Sequence, residues 1–190
     1  STDSEEIASI AKKCGIEAPF IRPSALATDS SFSIDVVLHA IHYLEKEKRY
    51  YDAVCLLQPT NPFRPVGFID KAIQQFEKSK TDSLISVLPV PEEFNPHWVF
   101  EPGADGTLHL VTGENEIVKR RQDLPPAFFR DGSIYITKTS VIKQQHSFYG
   151  DQIGYIESDP FFYVNIDNPE DFVNAENKLP AVLPFIACAE

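Results

Sequence analysis

The sequence predicts an α/β fold in which a mostly parallel sheet is covered by helices on both faces. The first observation is an unbroken apolar run at residues 53–57, which is typical of a strand buried on both sides. The second is a helical pattern at 66–78 followed by another apolar run at 83–90, which completes a β-α-β unit with a right-handed crossover. The polar loop that starts at Gln58 is therefore expected at the carboxyl edge of the sheet, where open α/β folds bind ligands.

Local patterns predict the other elements in order. Acids in the first turn, lysines in the last and apolar residues at helical spacing predict a helix over 5–13, which Thr2 or Asp3 would cap. A one-sided apolar face predicts a second helix over 33–47. Short strands are expected at 16–21, 133–137, 153–156 and 163–166.

The last helix has a strong start signal. Asn168 is suited to be the cap, Pro169 occupies the first helical position, and Asp171 lies three residues after the cap. We therefore expect this helix to begin at Pro169.

The domain organisation is predicted as one domain over residues 1–190 with an insertion at 91–128. This insertion is rich in proline and contains an Asp105-Gly106 hairpin signal and a basic run at 119–121. Because it is too long for an ordinary loop, we expect it to form its own short strands and to pack on a partner or over the active site.

Composition limits the classes of partner. The chain has 17 Lys and Arg against 28 Asp and Glu, a net charge of −11, which argues against a nucleic-acid or anionic-membrane surface. No pattern typical of a signal peptide or a membrane span is found, so a cytoplasmic protein is expected. The three cysteines lack the spacing of a zinc site and are expected to be reduced, with Cys55 in the core.

Asp167 is the main candidate for holding a metal ion. It stands where a predicted strand ends and the last helix begins, and a carboxylate there can bind Mg²⁺, which prefers one or two protein oxygens plus phosphate. The alternative is that Asp167 only helps to start the helix.

Arginines and amides form a second group of candidates. The planar guanidinium suits phosphate or carboxylate, although a solvated surface charge is the alternative for any single arginine. Arg121 and Arg130 are favoured because they flank the apolar stretch 124–129, on which a sugar could rest. Gln58 and Ser33 could bind a base or a sugar, or could satisfy their own loops. The arginines in or beside loops are Arg22, Arg64, Arg120, Arg121 and Arg130.

Nucleophile and phosphate-loop motifs are not found: the sequence contains no G-x-S-x-G, no Walker loop and no G-x-G-x-x-G. Five stretches nevertheless resemble, in the same order, the sugar-acid cytidylyltransferases, the family of CMP-N-acylneuraminate synthetases. They are STDSEEIA, FIRPSALATDSSFS, LLQPTNPFR, RRQDLPPAFFRDGSIYI and VNIDNPEDF. The fourth is more similar to the bacterial legionaminate-type branch than to the animal enzymes.

This resemblance implies a nucleotidyltransferase-type, Rossmann-like fold with a mixed sheet. It also implies an activity in which the anomeric hydroxyl of a nonulosonic acid attacks the α-phosphate of CTP, with Mg²⁺ on the phosphates and pyrophosphate as the leaving group. Such chemistry depends on positioning and charge neutralisation. A homodimer is implied as well, in which the insertion reaches across to the neighbouring active site.

The resemblance assigns roles by position. Asp167 and Arg121 are implied to be catalytic, and Asp167 with Asn165 to bind the metal. Arg22 and Ser33 would bind the nucleotide. The residues implied to bind the sugar acid are Gln58, Arg121 and Arg130.

Three departures from the family pattern are visible. The family opens with a strand and a glycine-rich phosphate loop that the printed sequence does not match, so a chain starting at Ser1 is expected to bind CTP poorly. Asn165-Ile166-Asp167 offers one carboxylate where the sialate enzymes often have two. Arg130 is displaced by one residue relative to the following glycine. Two alternatives therefore stay open: a catalytically inactive dimerisation or regulatory homologue, and a nucleotidyltransferase acting on another sugar.

Overall fold

The protein is described here by a computed structural model, which covers residues 1–186. It has an α/β fold, as predicted. The helices are α1 (Glu5–Lys13), α2 (Ser33–Lys46), α3 (Phe68–Lys78), α4 (Thr139–Gln145) and α5 (Pro169–Ile186). The strands are β1 (Ala53–Leu56), β2 (Ser83–Pro89), β3 (Phe100–Pro102), β4 (Leu108–Leu110), β5 (Phe128–Lys138) and β6 (Ile153–Glu157).

Four strands form one sheet in the order β1-β5-β2-β6, and β3 and β4 form a separate pair. The chain divides into two compact units. The first contains Ser1–Cys55, Lys80–Ser83 and Ile136–Ile153, and the second contains Leu56–Ser79, Leu84–Tyr135 and the described residues from Gly154 onward. The single domain over 1–190 stays a prediction.

The second unit has an apolar cluster that includes part of α5. Its buried members are Phe63, Phe162, Ala175 and Val182, and Val164 and Ile166 pack against it. Burial of these side chains, each removed from water, holds α5 and the segment before it in place.

The first helix has the predicted bounds but a different cap. The hydroxyl of Ser4, the residue directly before α1, accepts a hydrogen bond from the Ile7 amide at 3.2 Å. The prediction of Thr2 or Asp3 as the cap is therefore wrong. The strand predicted at 16–21 is also absent, because only Ile21 forms a bridge, with Thr2, and Pro19 within the segment has no amide hydrogen to donate.

The strand β1 is present, but its predicted burial on both faces is wrong. Among the described strands it lies at one edge of the sheet, and Cys55 is exposed rather than in the core. An apolar run indicates a strand, yet it does not show which neighbours cover it. Among the other predictions, β2 and β6 are confirmed with ends within one residue.

The strand β5 starts at Phe128, five residues before the predicted 133. Gly132 lies inside it with a φ of 82°, a conformation that favours glycine, so the strand bends and continues through this residue. A pair such as Asp131-Gly132 commonly stands in a turn before a strand. Here the pair instead marks a kink within a longer strand.

The strand predicted at 163–166 is not formed. A short 3-10 helix, Pro160–Phe162, is followed by extended chain whose Ile166 amide donates to the Thr60 carbonyl at 2.9 Å. Val164 and Ile166 are apolar because they pack on the cluster of the second unit, and not because they belong to a sheet. Asp167 therefore does not follow a strand.

The insertion contains the predicted hairpin. β3 and β4 are antiparallel, with Phe100 opposite Leu110, and Gly106 at the turn has a φ of 80°. His97 and Trp98 pack inside the insertion: His97 Nδ1 lies 2.7 Å from Glu114, and the indole of Trp98 donates to the Val118 carbonyl. The hydrogen bond from His97 lowers the pKa of Glu114.

The start of α5 is confirmed in detail. The side-chain oxygen of Asn168 accepts from the amides of Glu170 (2.9 Å) and Asp171 (3.1 Å). In return, the Asp171 carboxylate accepts from the amides of Asp167 and Asn168. This reciprocal pattern satisfies backbone donors that the helix leaves open.

Replacing Asn168 by alanine is expected to lower the free energy of unfolding by about 1 kcal/mol, because the cap is lost. Urea denaturation followed by circular dichroism measures the change. E170A is the matched control, because Glu170 lies two residues after Asn168 in the first turn of α5 and its side chain does not cap the helix. Equal destabilisation by both variants would contradict the cap assignment.

The helix α5 is 18 residues long and runs through Pro180 and Pro184. Among the helices in residues 1–186, none combines the length and the apolar character needed to cross a membrane.

Candidate active site

Four of the predicted site residues lie together in one polar cleft of the second unit. The cleft has a volume of about 390 Å³. The four are Gln58, Arg130, Asn165 and Asp167, and the other lining residues are Thr60, Asp131, Gly132, Tyr135 and Tyr163.

The loop after β1 is held on the kink of β5 by Arg64. Its Nε and Nη2 both donate to the Ser133 carbonyl, at 3.1 and 2.8 Å, and Nη2 also donates to the Gln58 carbonyl at 2.8 Å. The guanidinium thus binds the main chain of the loop at Gln58 and the main chain of β5 at Ser133. Arg64, one of the loop arginines that could have bound substrate, is a structural clamp.

Asn61 also links the loop after β1 to the kink of β5. It is buried, with 2% of its surface exposed, and its Nδ2 donates to the Asp131 carbonyl at 2.9 Å. The backbone amide of Asn61 donates to the Gln58 carbonyl at 3.3 Å. The backbone of Gln58, a predicted sugar ligand, is therefore attached to the kink through Asn61 and Arg64.

Asp131 is a site residue that the sequence reasoning missed. Its side chain is 4% exposed, and its carboxylate accepts from the hydroxyls of Ser86 and Ser158 and from the Ser133 amide. One sequence signal existed, since Ser86 interrupts an otherwise apolar strand. A hydroxyl in such a strand indicates a buried acceptor nearby.

Arg130 and two tyrosines shape the electrostatics of the cleft. Arg130 Nη1 donates to the Tyr135 hydroxyl at 3.1 Å. Burial, with the negative charges of Asp131 and Asp167, raises the pKa of the Tyr163 phenol above its ordinary value of 10. Tyr163 therefore keeps its proton at neutral pH and can donate a hydrogen bond inside the cleft.

Asn165 and Asp167 stand side by side at the cleft, with the Asn165 amide nitrogen donating to the Asp167 carboxylate. Helix capping is performed by Asn168 and Asp171, so the Asp167 carboxylate is not needed for it. Within residues 1–186 no cluster of three or more His, Cys, Asp or Glu side chains could hold a metal alone. One carboxylate and one amide oxygen suit Mg²⁺ that also has phosphate ligands, provided that the amide turns its oxygen toward the ion.

Arg121 does not line this cleft. Its Nε pairs with the Glu92 carboxylate, and 73% of its side chain is exposed. It starts a short 3-10 helix, Arg121–Asp123, in the insertion. The resemblance implies that Arg121 serves the active site of the neighbouring subunit, and this role stays a prediction.

Arg22 and Ser33 belong to the first unit. Arg22 Nη2 pairs with Asp3 at 3.0 Å, and this contact lowers the pKa of Asp3. The Nε of Arg22 is buried and makes no hydrogen bond within the described chain. Ser33 is the exposed first residue of α2.

The apolar stretch before Arg130 packs partly on the cleft wall. Phe129 contacts Tyr163 edge to face, with ring centroids 5.9 Å apart, and Phe128 stacks on Tyr155 at 5.2 Å. Contacts of this kind hold a tyrosine ring in a fixed orientation. Binding of a sugar to 124–129 stays a prediction.

These features define an α/β fold with a polar cleft in its second unit. A solved structure of 4-diphosphocytidyl-2C-methyl-D-erythritol synthase from Anaerococcus prevotii is similar, with a TM-score of 0.59 over 94% of this chain and 77% of that chain. The sequence identity is 14%, so this similarity shows the fold alone.

The cytidylyltransferase family model matches residues 1–169, and the chain belongs to this family. It is 32% identical over 160 residues to the CMP-N,N'-diacetyllegionaminic acid synthase of Legionella pneumophila, covering 80% of this chain. It is 33% identical over 173 residues to the post-translational flagellin modification protein B of Campylobacter coli, covering 90% of this chain. The matches span 63% of the Legionella protein and 72% of the Campylobacter protein.

Proposed function

We propose that the protein transfers CMP from CTP to the anomeric hydroxyl of a nonulosonic acid, giving a CMP-sugar and pyrophosphate. The observation that carries the proposal is the cleft in which Gln58, Arg130, Asn165 and Asp167 converge. Membership of the cytidylyltransferase family and similarity to a CMP-legionaminate synthase support this choice of reaction and sugar.

The acceptor sugar is assigned to the cleft. A nonulosonic acid carries a carboxylate and several hydroxyls. The Arg130 guanidinium suits the carboxylate, and the Gln58 amide and the Tyr163 phenol can donate to hydroxyls. Arg22 and Ser33 are assigned to the nucleotide, as the family resemblance implies. The planar guanidinium of Arg22 is of the kind that suits a phosphate.

Mg²⁺ is the proposed cofactor, held by Asp167 and Asn165. When bound, it would neutralise charge on the phosphates of CTP as pyrophosphate leaves. The residues of the cleft would bind the acceptor through its carboxylate and its hydroxyls and so limit its orientation. Positioning and charge neutralisation are the main sources of rate in phosphoryl-type transfer, so the site needs no nucleophile.

A homodimer is proposed as the working form, with the insertion 91–128 of one chain reaching the site of the other. The position of Arg121 supports this: the side chain is exposed, lies outside the cleft of its own chain, and follows the β3-β4 pair. Its guanidinium would add positive charge beside the partner's cleft.

The decisive test is release of pyrophosphate by the complete gene product. We expect release with CTP, Mg²⁺ and N,N'-diacetyllegionaminic acid, slower release with N-acetylneuraminic acid, and none with a sugar phosphate or with ATP in place of CTP. Chelation of Mg²⁺ should stop the reaction. Failure of every nonulosonic acid would overturn the proposal. An absence of any CTP-induced rise in Tm would then favour an inactive homologue.

A further inference from the structure

We infer that Asp131 is a positioning residue: its buried carboxylate holds the kink of β5 that sets where Gln58 and Arg130 stand in the cleft. The inference rests on the proposed function for its kinetic consequences. Its structural basis is the hydrogen bonding of the second unit alone.

The carboxylate of Asp131 is fully engaged by its neighbours. A buried carboxylate is costly unless donors surround it, and here the donors are the Ser86 and Ser158 hydroxyls and the Ser133 amide. Ser86 in turn accepts from the Ile134 amide at 2.7 Å. The carboxylate thus joins β2, β5 and the chain after β6 at one point.

The bond from the Ser133 amide, at 2.9 Å, spans the kink. It closes a turn from the Asp131 side chain across Gly132, whose φ of 82° bends the strand. The bend presents the carbonyls of Asp131 and Ser133 to Asn61 and Arg64. Among these contacts, the bond from the Ser133 amide to the carboxylate is the one that closes the turn across Gly132, so loss of the carboxylate would leave the turn held only from outside, by Asn61 and Arg64.

Gln58 and Arg130, two of the three candidate ligands of the sugar acid, are both attached to the kink. Arg130 directly precedes Asp131, and the Gln58 carbonyl is bound by Arg64 and Asn61, which also bind the kink. A shift of the turn would therefore move Arg130 relative to Gln58. Misplacement by about 1 Å can cost about 100-fold in rate.

A positioning role predicts different effects for substitution of Asp131 by asparagine and by alanine. Asparagine keeps an oxygen for Ser86 and for the Ser133 amide, and the Ser158 hydroxyl can turn to accept from the asparagine nitrogen. A positioning role therefore survives Asp131→Asn but not Asp131→Ala. A role that needs the negative charge, in binding a metal or moving a proton, would be lost in both variants.

The kinetic test compares D131A, D131N and T137V in the complete gene product. T137V is the matched control, because Thr137 is also buried in β5 and its hydroxyl donates to the Phe148 carbonyl. We expect D131A to lower kcat/KM for the sugar acid at least about tenfold, mainly through KM, with KM for CTP changed less than about threefold. D131N and T137V should stay within about threefold of the unsubstituted protein. Equal loss in D131A and D131N would overturn the inference.

Amide hydrogen exchange gives a readout that needs no activity. D131A should speed exchange in peptides covering 57–64 and 130–134, while D131N and T137V leave them protected. If D131A does not fold, S158A, which removes one donor, should speed exchange in the same peptides to a smaller extent. Unchanged protection in D131A, or in S158A where D131A does not fold, would overturn the inference. If the unsubstituted protein releases no pyrophosphate, the proposed function fails, and exchange alone still decides the role of Asp131.

Discussion

Replacing Asp167 by asparagine is expected to lower kcat about 100-fold while leaving the free energy of unfolding nearly unchanged. The carboxylate would supply the only formal negative charge of the proposed Mg²⁺ pair, since its neighbour Asn165 is neutral. The carboxylate would act through the ion it holds: weaker Mg²⁺ binding removes stabilisation of the charge on the phosphates, and the loss of one such stabilising interaction typically costs about two to three powers of ten in rate. The fold does not depend on it, because Asn168 and Asp171 cap α5.

The measurement is pyrophosphate release over a range of Mg²⁺ concentrations. D167N should require more Mg²⁺ for half-maximal rate, because an amide oxygen is a weaker ligand than a carboxylate. D171N is the matched control at the same helix start, since its amide oxygen can still accept from the Asp167 and Asn168 amides. A D167N variant that keeps its rate, or that is destabilised as much as N168A, would contradict the metal assignment.

Replacing Arg64 by alanine is expected to lower the free energy of unfolding by about 2–3 kcal/mol. The substitution removes three hydrogen bonds from a charged group and leaves the Ser133 and Gln58 carbonyls without this partner. Bonds of this kind contribute more than neutral ones, and a part-buried carbonyl that loses its donor adds a desolvation cost.

Thermal and urea unfolding measure the effect, and two variants calibrate it. R64K should fall between R64A and the unsubstituted protein, because one ammonium cannot reproduce the fork geometry of the guanidinium. R49A removes an exposed arginine that pairs with Glu17, so it should change the unfolding midpoint much less. An R64A variant as stable as R49A would show that Arg64 is not a clamp and would return it to the list of ligand candidates.

Features that depend on neighbours along the chain were determined by the sequence alone. The cap of α5 is made by Asn168 and Asp171, three residues apart, and the turn of the β3-β4 hairpin contains Asp105-Gly106. The bounds of α1 also follow the prediction, and Gln58 and Asp167, which the family resemblance assigned to one site, line one cleft. In the first three cases the interacting groups lie within one or two turns of chain, so local propensity is decisive.

Roles that depend on distant partners were decided only by the tertiary structure. Arg64 binds a carbonyl 69 residues away, and Asp131 meets hydroxyls 45 and 27 residues away. The same arginine could have been a phosphate ligand, and the same apolar run at 163–166 could have been a strand. Sequence records which groups need partners; folding decides which partners they find, because hydrogen bonds and burial are satisfied in space rather than along the chain.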